Sequence, residues 1–136
     1  MKYNNTALHA AQALMLEDVS FCERLYEGNP SGQAERRCLI RAEFAFIEAW
    51  LYALHYQGVF GNTDLIPKKC SAKENVEQTF ESLAKTLGSS YVINKQDKGW
   101  CAMRQAYLIR DRITHPKAMK DITITDAEMD VFNCAC

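Results

Sequence analysis

Arg110, Asp111 and His115 stand close together in the stretch Ile109-Arg110-Asp111-Arg112-Ile113-Thr114-His115-Pro116-Lys117. Arginine is a permanently charged, planar donor fork that suits phosphate. Histidine changes protonation near neutrality, so it can take or give a proton. A cation for the phosphate and an acid or base beside it are what phosphoryl chemistry without a metal requires. Asp111 lies four residues before His115, a spacing that puts both on one helix face and lets the carboxylate favour the imidazolium and hold one ring nitrogen. His9 and His55 have no comparable neighbourhood.

These groups need a helix to carry them. Turning about 100° per residue, Trp100, Met103, Ala106, Tyr107 and Ile113 occupy one arc, and Arg110 projects near its centre. A guanidinium on a buried-facing stripe costs several kcal/mol unless it is paired. Either an internal carboxylate meets it, or it faces a cleft or interface that receives an anion. Glu48, set among Phe44, Leu51 and Tyr52 on a strongly apolar segment, is the internal candidate. Their pairing has two readings: a buried ion pair that fixes helix register, or a brace that orients Arg110 toward a phosphate.

The rest of the chain reads as helices that pack to place this segment. Leu8, Ala11, Met15, Val19, Cys22 and Leu25 recur at three- and four-residue intervals, one face of a first helix, which Gly28, Asn29, Pro30, Ser31 and Gly32 end. Residues 33–57 are so apolar between Cys38 and Leu54 that a central helix, covered on most sides, is expected. A loop through Gly61, Asn62 and Pro67 follows. Ser71 and Glu74 form a capping-box pattern that opens a third helix with the stripe Val76, Phe80, Leu83 and Leu87, closed by Gly88. After a polar loop, a fourth helix begins near Gly99 or Trp100 and stops close to His115, because Pro116 disfavours helical backbone in the residue before it. Thr125 and Glu128 repeat the capping box, with Ile124 and Met129 as the apolar staple, and open a short helix to Cys136. The expected fold is all-α, an up-and-down bundle of four main helices with a short fifth at the C-terminus, in a single domain spanning residues 1–136.

Composition narrows the function. Sixteen basic and seventeen acidic residues leave a formal charge of −1, so no global positive field holds a long nucleic acid. Contact must be local, and Arg104, Arg110, Arg112, Lys117 and Lys120 concentrate basic charge in one stretch. Cys22, Cys38 and Cys101 fall among apolar neighbours and read as small buried hydrophobes in a reducing compartment. Cys134 and Cys136 lack zinc-site spacing, so neither a metal nor another cofactor is expected. No segment approaches membrane-spanning length and no leader pattern is present, which predicts a cytoplasmic protein.

The string Ile-Arg-Asp-Arg-Ile-Thr-His-Pro-Lys resembles the motif of HEPN domains: arginine, a polar residue, a partly apolar spacer, then histidine near the end of a late helix in a small bundle. The likeness is specific over Trp100 to Lys117, and Glu48 is similar to an acidic residue that many members carry on the second helix. The resemblance implies a metal-independent endoribonuclease of the toxin or antiviral-defence type, working as a homodimer in which two copies of the motif meet. His115 is then the general base or acid, Arg110 binds the phosphate, Asp111 orients the histidine and Glu48 braces the arginine. It also implies RNA as substrate and an antitoxin or regulatory partner. A catalytically silent member that binds a nucleotide or a protein would carry the same groups. So would a helical interaction module in which Arg110 and Glu48 are only a structural pair.

Overall fold

A computed structural model describes residues 5–56 and 71–135, without the side chains of residues 5–8, 55 and 56. Helices α1 (Asn5–Gly28), α2 (Gln33–Tyr56), α3 (Ala72–Thr86), α4 (Lys98–Thr114) and α5 (Asp126–Ala135) follow in that order, with a 3-10 turn at Met119–Ile122 before the last. Among the described residues there is no strand, so the chain is an all-helical bundle. Leu8 of the first stripe, His55, the loop through Gly61, Asn62 and Pro67, and Cys136 lie outside the described side chains.

Local sequence accounts for most helix ends. Ser71 takes the N–H of Glu74 on its hydroxyl while the Glu74 carboxylate accepts the Ser71 N–H at 2.8 Å, closing the capping box. Those backbone contacts hold the Glu74 carboxyl below its ordinary value. Thr125 and Glu128 make the same reciprocal pair ahead of α5. Gly88 takes φ 69°, a conformation glycine adopts without a Cβ penalty, and ends α3. At the start of α4, the Asp97 carboxylate accepts from the N–H of Gly99 at 2.9 Å.

Helix α2 is the hub, touching α1 on one side and α3 and α4 on others, while α4 and α5 form the second close pair. Ile40, Phe44 and Leu51 of α2 meet Val76, Ile113, Ile124 and Phe132 in a core where each is at most 2% exposed. The Phe44 and Tyr107 ring centroids are 4.5 Å apart, which ties α2 to α4 directly beneath the candidate site.

Two expected stripes are corrected. On α1, Val19 and Cys22 are buried, but Leu25 is 40% exposed, and Tyr26 packs on the core instead. On α3, Val76, Thr79 and Ala84 face inward, while Phe80 is 39% and Leu87 73% exposed. Thr79 tolerates burial because its hydroxyl donates to the Asn75 carbonyl at 2.6 Å, so no polar group is stranded. Leu87 lies past the last helical residue, where the stripe has no face to continue.

The cysteine expectation is also corrected in part. Cys22 and Cys38 are bonded as a disulfide that joins α1 to α2, with their Cα atoms 5.8 Å apart. Cys101, expected inside, is exposed, as is Cys134. Among the described residues, no helix is long and apolar enough to cross a membrane.

Candidate functional site

The α4 stripe forms as its spacing demands: Ala106, Tyr107 and Ile113 are buried, and Trp100 and Met103 pack against the core. Arg110 comes out at the edge of this face, at the seam with α2, with its side chain 21% exposed. Its Nη2 donates to Glu48 Oε1 at 2.5 Å, across the helix pair, and its Nη1 donates to Asp111 Oδ1 at 2.9 Å. The anticipated Arg110–Glu48 pair is therefore present. Neither carboxylate is sealed from water, since the Glu48 and Asp111 side chains are 38% and 56% exposed.

Tyr107 lies below this cluster. Its hydroxyl is buried without a hydrogen-bond partner among the described residues. Burial first, and the negative charge of Glu48 second, push its pKa well above the ordinary phenol value, so it stays protonated at any working pH.

His115 is placed differently. It is the cap residue just past α4, exposed, with its backbone N–H donating to the Asp111 carbonyl at 2.9 Å. Five positions separate it from Arg110, about 140° on an ideal helix, so the two side chains leave α4 on different sides. The structure brings Arg110, Glu48 and Asp111 together and leaves the imidazole ring of His115 without a hydrogen bond among the described residues. Asp111 thus contacts the arginine, not the histidine whose orientation it was expected to set. The physical reason is reach: Arg110 offers a charged donor one residue away, while His115 turns off the helix at Pro116.

His115 does share a face with other residues. Cys101, Arg104, Leu108, Asp111 and His115 recur at intervals of three and four along α4, and all are exposed. Leu108, in the middle of that stripe, is 70% exposed.

The remaining basic residues divide sharply. Arg112 is consumed internally: its guanidinium donates to the carbonyls of Lys120 and Thr123 and pairs with Glu128 at 2.7 Å. Lys117 and Lys120 are exposed in the segment after His115. There the Asp121 carboxylate, held below its ordinary pKa by the N–H groups of Lys117 and Ala118, closes the turn.

Residues that the sequence reading did not single out complete the neighbourhood. Arg41 Nη2 donates to the Ile113 carbonyl at 2.6 Å, and Arg37 Nη1 donates to the Ile122 carbonyl at 2.8 Å. The signal was available in part: Arg37, Arg41 and Glu48 fall within about 40° on the α2 wheel, one polar stripe on an apolar helix. Among the described residues, no group of three or more histidine, cysteine or acidic side chains is placed to hold a metal ion.

No protein-family model, no curated protein and no solved structure matches this chain.

Proposed function

We propose that this chain is a HEPN-type, metal-independent endoribonuclease, acting as a toxin or defence effector. One observation carries the reading: a partly exposed guanidinium, braced from α2 by Glu48, sits five residues ahead of an exposed histidine that closes the helix. The reaction is attack of a ribose 2′-hydroxyl on the adjoining phosphate, which releases a cyclic phosphate and a 5′-hydroxyl. It needs a base at the nucleophile, an acid at the leaving oxygen and a cation at the phosphate. DNA lacks the attacking hydroxyl and is not a substrate.

Arg110 serves as the cation. Glu48 holds it from the protein side, and Asp111, the more exposed partner, gives way to the incoming phosphate; an exposed ion pair is worth at most about 1 kcal/mol, so the exchange is cheap. His115 moves the proton. A single protomer carries one such histidine, and the second proton-transfer group comes from a second copy in a two-fold dimer. The exposed stripe containing Leu108, Asp111 and His115 supports that seam, because an apolar residue beside the two polar ones gives a symmetric contact something to bury. An untargeted ribonuclease also requires an antitoxin or a regulatory trigger.

The substrate places the protein in the cytoplasm. The Cys22–Cys38 disulfide is the observation on the other side, because such bonds persist in oxidising compartments. Alkylation of the protein inside intact cells, followed by mass analysis, decides between them: blocked thiols fit the cytoplasm and an unmodified pair does not.

The two carboxylates on Arg110 favour a second reading, a silent member of the same class that binds a nucleotide or a protein partner. His115→Ala separates the two. Under the nuclease reading the variant keeps its stability within about 0.5 kcal/mol, since the ring is exposed, and loses about 100-fold or more in RNA cleavage. Cleavage equal to the parent's removes His115 from the mechanism.

A further inference from the structure

Of the arginines bonded across the helix packing, three end on carboxylates: Arg36 on Asp126, Arg110 on Glu48 and Asp111, and Arg112 on Glu128. Arg37 and Arg41 do not. Each spends an N–H on a neutral backbone carbonyl, Ile122 for Arg37 and Ile113 for Arg41. Among the described residues, neither is within ion-pair distance of a carboxylate. A carbonyl orients a guanidinium without cancelling its charge.

The carbonyl of Ile113 is there to be used for a local reason. In the last turn of α4 it has no helical donor to accept, and Arg41 supplies one. Both arginines also line an open groove of about 630 Å³ between α1 and α2, together with Asp18, Phe21 and the Cys22–Cys38 pair. Along α2, the sequence of contacts with the α4 end of the molecule runs from Glu48 at Arg110, to Arg41 at Ile113, to Arg37 at Ile122. The row of cations therefore continues from the candidate catalytic arginine into the groove.

We propose that Arg37 and Arg41 form a phosphate track for single-stranded RNA, holding backbone phosphates adjacent to the one placed at Arg110. The track rests on the ribonuclease reading for the identity of its ligand. It answers a problem set by composition: a chain with a formal charge of −1 has no general attraction for RNA, so substrate must be held by a few uncompensated cations in a row. A flexible strand reaches such a groove with its phosphates; the apolar wall at Phe21 offers a surface for a base. Asp18 opposes the binding from the rim.

The test uses a fluorescein-labelled single-stranded RNA of about twelve nucleotides, a length that covers several phosphates beyond the cleaved one, with the full chain carrying His115→Ala so that it is not cut. Fluorescence anisotropy is read across a range of salt. Adding Arg37→Gln and Arg41→Gln should weaken binding at least about tenfold and flatten the slope of log K against log salt by about 1.4, the value for two phosphate contacts on a single strand. Glutamine removes the charge but ends two bonds short of the Nη that reaches each carbonyl, so circular dichroism and thermal melting check the fold. Asp18→Asn, an exposed change that breaks no bond shown above, should tighten binding about two- to fivefold at low salt. It answers the question even where the double variant does not fold, because tighter binding is not a symptom of damage.

Affinity and salt slope unchanged in a folded double variant overturn the track, and so does unchanged affinity with Asp18→Asn. The parent's cleavage of the same RNA, followed on a gel, tests the underlying reading separately. Cleavage with an indifferent arginine pair keeps the nuclease and removes the track. An inert parent whose RNA binding still falls with the pair keeps the track and removes the nuclease.

Discussion

Arg36 and Arg110 present the same chemistry, an arginine crossing from one helix to an acidic residue of another, in opposite surroundings. Arg36 is 6% exposed and every arm is committed: Nε to the Pro30 carbonyl at 2.7 Å, Nη1 to the Ile124 carbonyl at 2.8 Å and Nη2 to Asp126. Gln33 adds a reciprocal pair with the Ile124 N–H and carbonyl, so the loop before α5 is locked onto the start of α2. Arg110 is held by carboxylates alone, both open to water, with its fork at the surface of the seam. An arginine whose every arm is committed, two of them to backbone carbonyls that cannot leave, is a staple. A solvated carboxylate is displaceable by another anion, so Arg110 can be released to one.

The difference sets an order of effects. Arg36→Met should lower stability the most, by about 2 to 3 kcal/mol in denaturant unfolding, because it strands the Pro30 carbonyl and unlocks the α2–α5 junction. Arg110→Met should cost only about 1 kcal/mol, since its partners are solvated, yet abolish RNA cleavage. A loss in Arg110→Met as large as that in Arg36→Met breaks the comparison and makes Arg110 a second staple.

Glu43 gives the smallest effect. Burial first, and the nearby Glu23 carboxylate second, raise its pKa above the usual carboxyl value. A carboxyl raised in the folded state holds its proton more readily there, so its contribution to stability is present below the unfolded value and lost as pH rises through the folded one. At neutral pH the ionised group is a burden on the fold. Glu43→Gln should therefore melt slightly higher than the parent at pH 7, and the gain should shrink as pH falls toward the ordinary carboxyl range. A gain that persists unchanged in acid assigns the effect to something other than this titration.

How legible the molecule was follows the range of the interactions. Ser71 with Glu74 and Thr125 with Glu128 act over three residues, so the helix starts they create were readable directly. Gly88 and Pro116 act on their own backbone and were equally plain. The stripe of α4 followed from strict periodicity, which set Arg110 near the centre of that arc, whereas packing brought it out at the seam with α2. Its pairing with Glu48 followed from the cost of leaving a guanidinium alone in an apolar surface.

Spacing alone could not choose between neighbours that both fit. Leu25 and Tyr26 each continue the α1 stripe from Cys22, and packing against α2 selected the tyrosine. Cys22 and Cys38 read equally well as two small hydrophobes, because nothing sixteen residues apart in sequence reports that two sulfur atoms meet. The same is true of Asp111, whose one-residue contact with Arg110 prevailed over the four-residue relation to His115.

The sequence by itself determined an all-helical bundle, the limits of most of its helices and the presence of a phosphate-suited arginine and a histidine at the end of α4. These depend on backbone propensity, capping and apolar period, all of which act within a turn or two. Only the tertiary structure decided which arginine charges are left without a carboxylate partner. That depends on whether the atom reached across a helix crossing is a carboxylate or a carbonyl, and the partners, Asp126 for Arg36 and Ile113 for Arg41, lie 90 and 72 residues away.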